Sequence, residues 1–218
     1  MKKWRLGLDV DQVLINSTPS FVSTNNHFFG THITEEEYTD CWSKTRWRTG
    51  YSEAEWMQKQ GIEWQNHAKK IRFYKNLPAV PGTKEALETF TKLGAEFVIV
   101  TDRRAEFKTD TLSNLKNLFP NTDFRAENCF FTGVYDGKKV SSKQGTKSTK
   151  GAVAAKLGLS MFIDDHPGHV LSALDHSVPS LWFGQHPEEK LCPDEAIGLY
   201  RGQSWEETTQ IIRRALGL

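Results

Sequence analysis

Cysteine is scarce in this chain and scattered. There are three in 218 residues, Cys41, Cys129 and Cys192, and no two are close in sequence. That excludes a CxxC pair and a zinc ribbon, and makes reduced thiols in a cytoplasmic protein the expectation. Long apolar runs are missing too: no stretch of 18 apolar residues occurs, so no membrane span is predicted. The opening Met1-Lys2-Lys3-Trp4-Arg5-Leu6-Gly7-Leu8 is not expected to act as a signal peptide, because its apolar run is short and Asp9 interrupts it. There is no excess of either charge. With 28 basic and 27 acidic residues the formal net charge is +1, which argues for neither a nucleic-acid polymer nor a membrane as partner. The seven histidines show no metal-ligand spacing, and His166 is the one beside an acidic strand end. No internal repeat is visible. A chain of this length buries roughly 70% of its unfolded surface and needs no staple, so one domain, or one domain with an insert, is predicted.

What the chain does contain is a set of short apolar runs that end in polar residues. Trp4 to Val10 reads as a first strand that runs into Asp9-Val10-Asp11. Such a pair of carboxylates repels unless a proton or a cation intervenes, and a hard cation such as Mg2+ is the simplest. An Asp-x-Asp is by itself equally a polar strand end or turn. A calcium loop fits poorly, since Val13-Leu14 follow where further oxygen ligands are needed. Ala95 to Thr101 is a second apolar run, ending in Thr101-Asp102-Arg103-Arg104, and Ser160 to Ile163 a third, ending in Asp164-Asp165. Runs without alternation mark strands covered on both faces, as in a parallel sheet. A last strand is predicted over 178–183, and Asp136-Gly137 marks a small hairpin.

Helices are predicted between these strands. Thr18-Pro19 opens one that Gly30 stops. Thr34-x-x-Glu37, Ser52-x-x-Glu55 and Ser204-x-x-Glu207 are capping boxes, the second opening a long helix towards Ile71 with a break at Gly61, and the third running to Leu216. Others cover 83–93, 105–119 and 151–157. Residues 16–76 are aromatic and poor in aliphatics, with four of the seven tryptophans. They read as a helical insert packed on the larger unit, which comprises 1–15 and 77–218. Residues 138–150 are rich in Lys, Ser, Thr and Gly and lack the spacing of a Walker loop, so a solvated loop is expected.

Strands alternating with helices imply a parallel α/β sheet, in which ligands bind outside the carboxyl ends of the strands. The three polar endings would then share one crevice, and that convergence outweighs any single motif. In such a crevice Asp9 can attack phosphorus. Asp11 can lend and take back a proton. Thr101, with Asp102 beside it, can hold a phosphate oxygen. Lys150 can meet the transferring charge. Asp164 and Asp165 can complete a metal site with Asp9 and Asp11. Lys147 and Lys156 are alternatives to Lys150, which stands at a helix start.

The order Asp9-x-Asp11, Thr101, Lys150, Asp164-Asp165 resembles the four signature motifs of the haloacid dehalogenase-like phosphohydrolases. The resemblance covers 4–14 and about 78–184. Pro81-Gly82-Thr83-Lys84-Glu85-Ala86-Leu87 and Ile163-Asp164-Asp165-His166-Pro167 are similar to the 5'-(deoxy)nucleotidase branch. The resemblance implies a Rossmann-like core with a helical cap after the first strand and a Mg2+-dependent monophosphatase with an aspartyl-phosphate intermediate. It also implies metal binding by the backbone carbonyl of Asp11. Many members have Gly where Gln12 stands, which puts the local turn in question.

In the insert, Trp42 and Trp47 could stack a nucleobase and Arg46 or Arg48 reach the phosphate. Equally, the tryptophans could anchor the insert and the arginines be solvated; Phe21 and Phe28 read first as core. The expected partner is a small phosphorylated substrate, a nucleotide foremost, and a homodimer is compatible with the sequence. A sugar phosphate, a non-catalytic phosphate binder and a phospho-accepting receiver are alternatives. The receiver fits worst, because no strand end between Asp11 and Thr101 offers an acceptor.

Overall fold

A computed structural model describes residues 4–39, 49–135, 138–139, 149–184 and 196–218. The first strand, β1 (Arg5–Leu8), is followed by helices α1 (Thr18–Phe29), α2 (Glu35–Thr39), α3 (Glu53–Gln58) and α4 (Gln65–Lys70). Then come α5 (Thr83–Lys92), β2 (Glu96–Thr101), α6 (Lys108–Leu118), β3 (Cys129–Phe131) and the antiparallel pair β4 (Val134–Tyr135) and β5 (Lys138–Lys139). The chain closes with α7 (Lys150–Lys156), β6 (Met161–Asp164), α8 (Pro167–Asp175), β7 (Ser180–Phe183), β8 (Leu199–Gly202) and α9 (Trp205–Leu216). Among the described residues no helix is long and apolar enough to cross a membrane.

Six strands form one parallel sheet in the order β3-β2-β1-β6-β7-β8. The apolar runs explain it: β1, β2, β6 and β7 are buried almost throughout, as strands covered by helices on both faces must be. The chain builds outward from β1 to β3, then returns and builds the other way from β6 to β8. The reversal lies between β1 and β6, and the carboxyl ends of those two strands carry Asp9 and Asp164.

The structure departs from the sequence reading at the far edge. The sheet does not stop at β7. β8 was not predicted because its Leu-Tyr-Arg-Gly has neither an apolar run nor a clean alternation, and only Gly202 is buried. Helix α8 was missed as well, although Pro167 stands at its first turn and His166 caps it by accepting from the Gly168 N–H. At Ser204 the capping box is half formed: the Ser204 hydroxyl accepts from the Glu207 N–H, but the Glu207 carboxylate takes the N–H of Gln203. The boxes at Thr34 and Ser52 are reciprocal. In place of a break at Gly61, residues Lys59–Trp64 form a π-helical stretch between α3 and α4.

The helices between 18 and 75 share a hydrophobic core with the sheet. Phe21 stacks on Trp64, with centroids 5.5 Å apart, and packs on Phe73 at 4.7 Å. Tyr74 meets Phe107, just before α6, at 4.7 Å. Trp64 is fully buried and Trp56 nearly so. The two chain crossings into this region run side by side, joined by Val80 N–H to Leu14 O (3.0 Å) and Asn16 N–H to Pro78 O (2.9 Å). Helix α9 closes over the first crossing, the Trp205 indole donating to Val13 O at 2.8 Å.

Helices α7 and α8 pack at backbone contact. A Cβ on Gly151 would stand 2.4 Å from the Ser172 carbonyl oxygen, so any side chain there forces α7 outward. Gly151→Ala is expected to cost about 1–3 kcal/mol. It should lower the urea midpoint without changing the slope.

Candidate active site

The loop after β1 starts with Asp9, whose N–H donates to Ile163 O at 2.9 Å and so ties it to β6. Thr149 caps α7 by accepting from the Ala152 N–H, which places Lys150 in the first turn. From there its Nζ reaches Asp9 Oδ1 at 3.0 Å and Asp164 Oδ2 at 2.9 Å. All three side chains are buried. Lys156 lies exposed in the last turn of the same helix, and Lys147 lies outside the described residues.

Burial dominates the charges. It raises Asp9 most, and although Lys150 opposes this, Asp164 and Asp11 add to it, so Asp9 is pushed up to about 7. Burial pulls in the same direction on Asp164, but Lys150 and then His169 outweigh it and hold this carboxyl well below its usual range. Asp165 is raised by burial and by its two acidic neighbours Asp164 and Asp9. Lys150 is driven up despite burial, because Asp164, Asp9 and Asp102 surround it.

Carboxylate oxygens of Asp9, Asp164 and Asp165 lie within 4.8 Å of one another. Asp9 Oδ1 is buried and accepts no hydrogen bond, although the Lys150 ammonium stands 3.0 Å away. A crowded carboxylate set with an orphaned oxygen fits a small hard cation. Asp11 contributes no carboxylate to this set, because its side chain turns towards Arg103.

Thr101, at the end of β2, is buried, and its hydroxyl accepts from the Arg103 N–H at 3.3 Å. Asp102 accepts from the Thr132 hydroxyl and lies 3.0 Å from His169 Nε2. His169 Nδ1 is 3.2 Å from Asp164 Oδ1, so the ring bridges the ends of β2 and β6. Burial and Lys150 lower His169, but Asp164 and Asp102 raise it further, to about 10.

His169, Thr132 and Arg103 were not among the predicted site residues. His169 would have followed once α8 was recognised, since Pro167 starts that helix and His169 sits in its first turn, facing back to the strand end. Arg103 gave no signal beyond its place two residues after Thr101. Its Nε and Nη2 donate to the two oxygens of Asp11 at 2.8 and 2.7 Å.

Gln12 adopts φ +56°, the left-handed turn that glycine would occupy without strain. With its amide oriented to satisfy its neighbours, the side-chain oxygen accepts from the N–H groups of Ser17 (3.2 Å) and Thr18 (2.8 Å). The bulkier residue therefore caps the start of α1. Trp42, Arg46 and Trp47 lie outside the described residues, as do Cys41 and Cys192; Cys129 is buried.

A family model described as haloacid dehalogenase-like hydrolase matches residues 8–121. No curated protein matches in sequence. Among solved structures, a predicted phosphatase from Clostridium acetobutylicum is similar at TM-score 0.68 and 16% identity, covering 100% of each chain. A HAD family hydrolase from Deinococcus radiodurans R1, with bound phosphate and sodium, is similar at TM-score 0.60 and 15% identity, covering 99% of this chain and 97% of that one. A predicted phosphoglycolate phosphatase from Haemophilus somnus 129PT is similar at TM-score 0.60 and 15% identity, covering 97% and 99%.

Two stability effects follow from the charges. Lys150→Ala leaves Asp9 and Asp164 facing each other in the interior and is expected to cost about 3–5 kcal/mol in urea unfolding. Asp9→Asn acts through pH. A carboxyl whose folded pKa lies above its unfolded value binds a proton in the folded state that the unfolded chain has already lost, so stability falls as pH rises from about 4 to about 7. Without added metal, the variant should therefore gain stability over the wild type at pH 8 and show little gain at pH 4.

Proposed function

From the chain's membership of the haloacid dehalogenase-like hydrolase family, we propose that it is a Mg2+-dependent phosphomonoester hydrolase working through an aspartyl-phosphate on Asp9. The observation that carries this reading is the meeting of Asp9, Asp164 and Asp165 with the buried ammonium of Lys150 at the strand ends.

Each residue has a part in that chemistry. An oxygen of Asp9 attacks phosphorus in line, and the bond from phosphorus to the leaving oxygen breaks. Asp11 gives that oxygen a proton. A water then attacks the phosphorus of the acyl phosphate and loses a proton to Asp11, which frees inorganic phosphate and restores Asp9. Thr101 offers its hydroxyl to a phosphate oxygen, with Asp102 beside it, and Lys150 sets a positive charge against the transferring group. Asp9, Asp164, Asp165 and the backbone carbonyl of Asp11 would hold the Mg2+, which, when bound, offsets the negative charge of nucleophile and phosphate. His169 ties Asp102 to Asp164 and keeps the phosphate side and the metal side of the crevice in register.

We propose further that residues 16–76 are a cap over this crevice. The substrate is a small phosphorylated metabolite. A nucleoside monophosphate is supported by the two loop motifs similar to the nucleotidase branch and by Trp42, Trp47 and Arg46 in the cap. A sugar phosphate or another small phosphate is favoured by the similar structures instead, one of which is named for phosphoglycolate.

Phosphate release from a panel of nucleoside, deoxynucleoside and sugar monophosphates, with Mg2+ and with EDTA, tests the reading. Metal-dependent release is expected, with kcat for Asp9→Asn at background. Wild-type rates in that variant would overturn the mechanism. Release confined to sugar phosphates would retain it and remove the base-stacking role of the tryptophans.

A further inference from the structure

Arg103 is 5% exposed, and each of its three guanidinium nitrogens donates a hydrogen bond. Nε and Nη2 hold the two oxygens of Asp11 side-on at 2.8 and 2.7 Å. Nη1 donates to the Thr111 hydroxyl of α6 at 3.0 Å. The flat face lies 4.2 Å from the ring centroid of Tyr74, in the segment that ends the helical region. The Ser17 hydroxyl also hydrogen-bonds the Asp11 carboxylate, and the next residue, Gln12, caps α1. The carboxylate therefore has one allowed place, although it stands in a loop where a free aspartate could take several rotamers.

Stability does not account for the arrangement. A buried ion pair is commonly matched or bettered by apolar groups of the same volume, because desolvating two charges offsets most of their attraction. What a two-point guanidinium–carboxylate contact supplies over an apolar pair is direction. We propose that Arg103 is the positioning residue for Asp11. It fixes the ionised carboxylate in one orientation to take the proton of the attacking water, and the Tyr74 contact makes that placement depend on the seating of the helical region. The inference rests on the phosphohydrolase reading above and adds to it a residue outside the four motifs.

A double-mutant cycle on p-nitrophenyl phosphate with Mg2+ tests it. Arg103→Met is expected to lower kcat about 10²-fold, the scale of an acid–base contribution, with KM falling alongside it and kcat/KM little changed, because breakdown of the phospho-enzyme becomes limiting. p-Nitrophenol is a good leaving group and needs little proton transfer, so the first step persists. The variant should release one p-nitrophenol per protein in a burst and then turn over slowly. Asp11→Asn should behave alike, and Arg103→Met with Asp11→Asn should be no slower than Asp11→Asn alone. Arg103→Lys, which keeps the charge but not the two-point contact, should fall between wild type and Arg103→Met.

Multiplied losses in the double variant would overturn the proposal, because Arg103 would then act independently of Asp11. A raised KM at unchanged kcat would overturn it too, by making Arg103 a phosphate ligand. If Arg103→Met does not fold, Arg103→Lys alone and with Asp11→Asn decides by the same comparison. A wild-type protein that releases phosphate from neither this probe nor the panel overturns the phosphohydrolase reading and this inference with it, whereas an active wild type with multiplied losses overturns only the inference.

Discussion

The buried ammonium of Lys150 is the constraint on which the strand-end crevice depends. Asp9 and Asp164 come from neighbouring strands and have almost no contact with water. Two carboxylates so placed would repel and one would take up a proton. A cation between them lets β1 and β6 lie in register while both carry acid. The charge must arrive from outside the sheet, and α7 delivers it: Thr149 fixes the start of the helix, and Gly151 lets that helix press on α8 closely enough for the lysine to reach.

A second buried cation does comparable work on the opposite side of the loop. Lys150 stands between carboxylates of the sheet, whereas Arg103 joins the loop to α6 and to Tyr74. Asp9 and Asp11 are one residue apart, yet they answer to different surroundings. Asp9 is governed by the strand ends and sits where burial and neighbouring acids favour its protonated form. Burial acts on Asp11 as well, but the guanidinium overrides it and holds the carboxyl below its ordinary range. One short turn thus presents two carboxyl groups of contrasting proton affinity, the first set by burial and neighbouring acids and the second by a guanidinium.

Much of this was legible in the sequence because it is written locally. Apolar runs ending in acid, glycine stops and Ser or Thr caps fix the strands of the inner sheet and most helix boundaries. The position of Lys150 beside Asp9 and Asp164 follows from one cap and one helical turn. Other features were not legible, for physical reasons. β8 is an edge strand whose side chains are half in water, so its composition carries no strand pattern. Arg103 reads as one of two adjacent arginines, and only the packing of Tyr74 and Thr111 shows which is buried. His169 needs α8 to be known first. Gln12, which looked like an obstacle to the turn, adopts the glycine conformation and uses its amide to hold α1.

The placement of β1 at the centre of the sheet bears on how the chain comes to fold. Its partners are both remote in sequence: Leu6 lies opposite Phe97 on one side and Met161 on the other, and the Arg5 N–H bonds to the Ser160 hydroxyl, 155 residues along the chain. During synthesis the strand that carries Asp9 emerges first and waits longest, with an unpaired edge until β6 has been made. Loop closure over such distances comes late and slowly, and an apolar edge open in the meantime is exposed to wrong pairings. The crevice is therefore among the last parts of the molecule to exist, and a chain halted before α7 would hold Asp9 without Lys150 or Asp164.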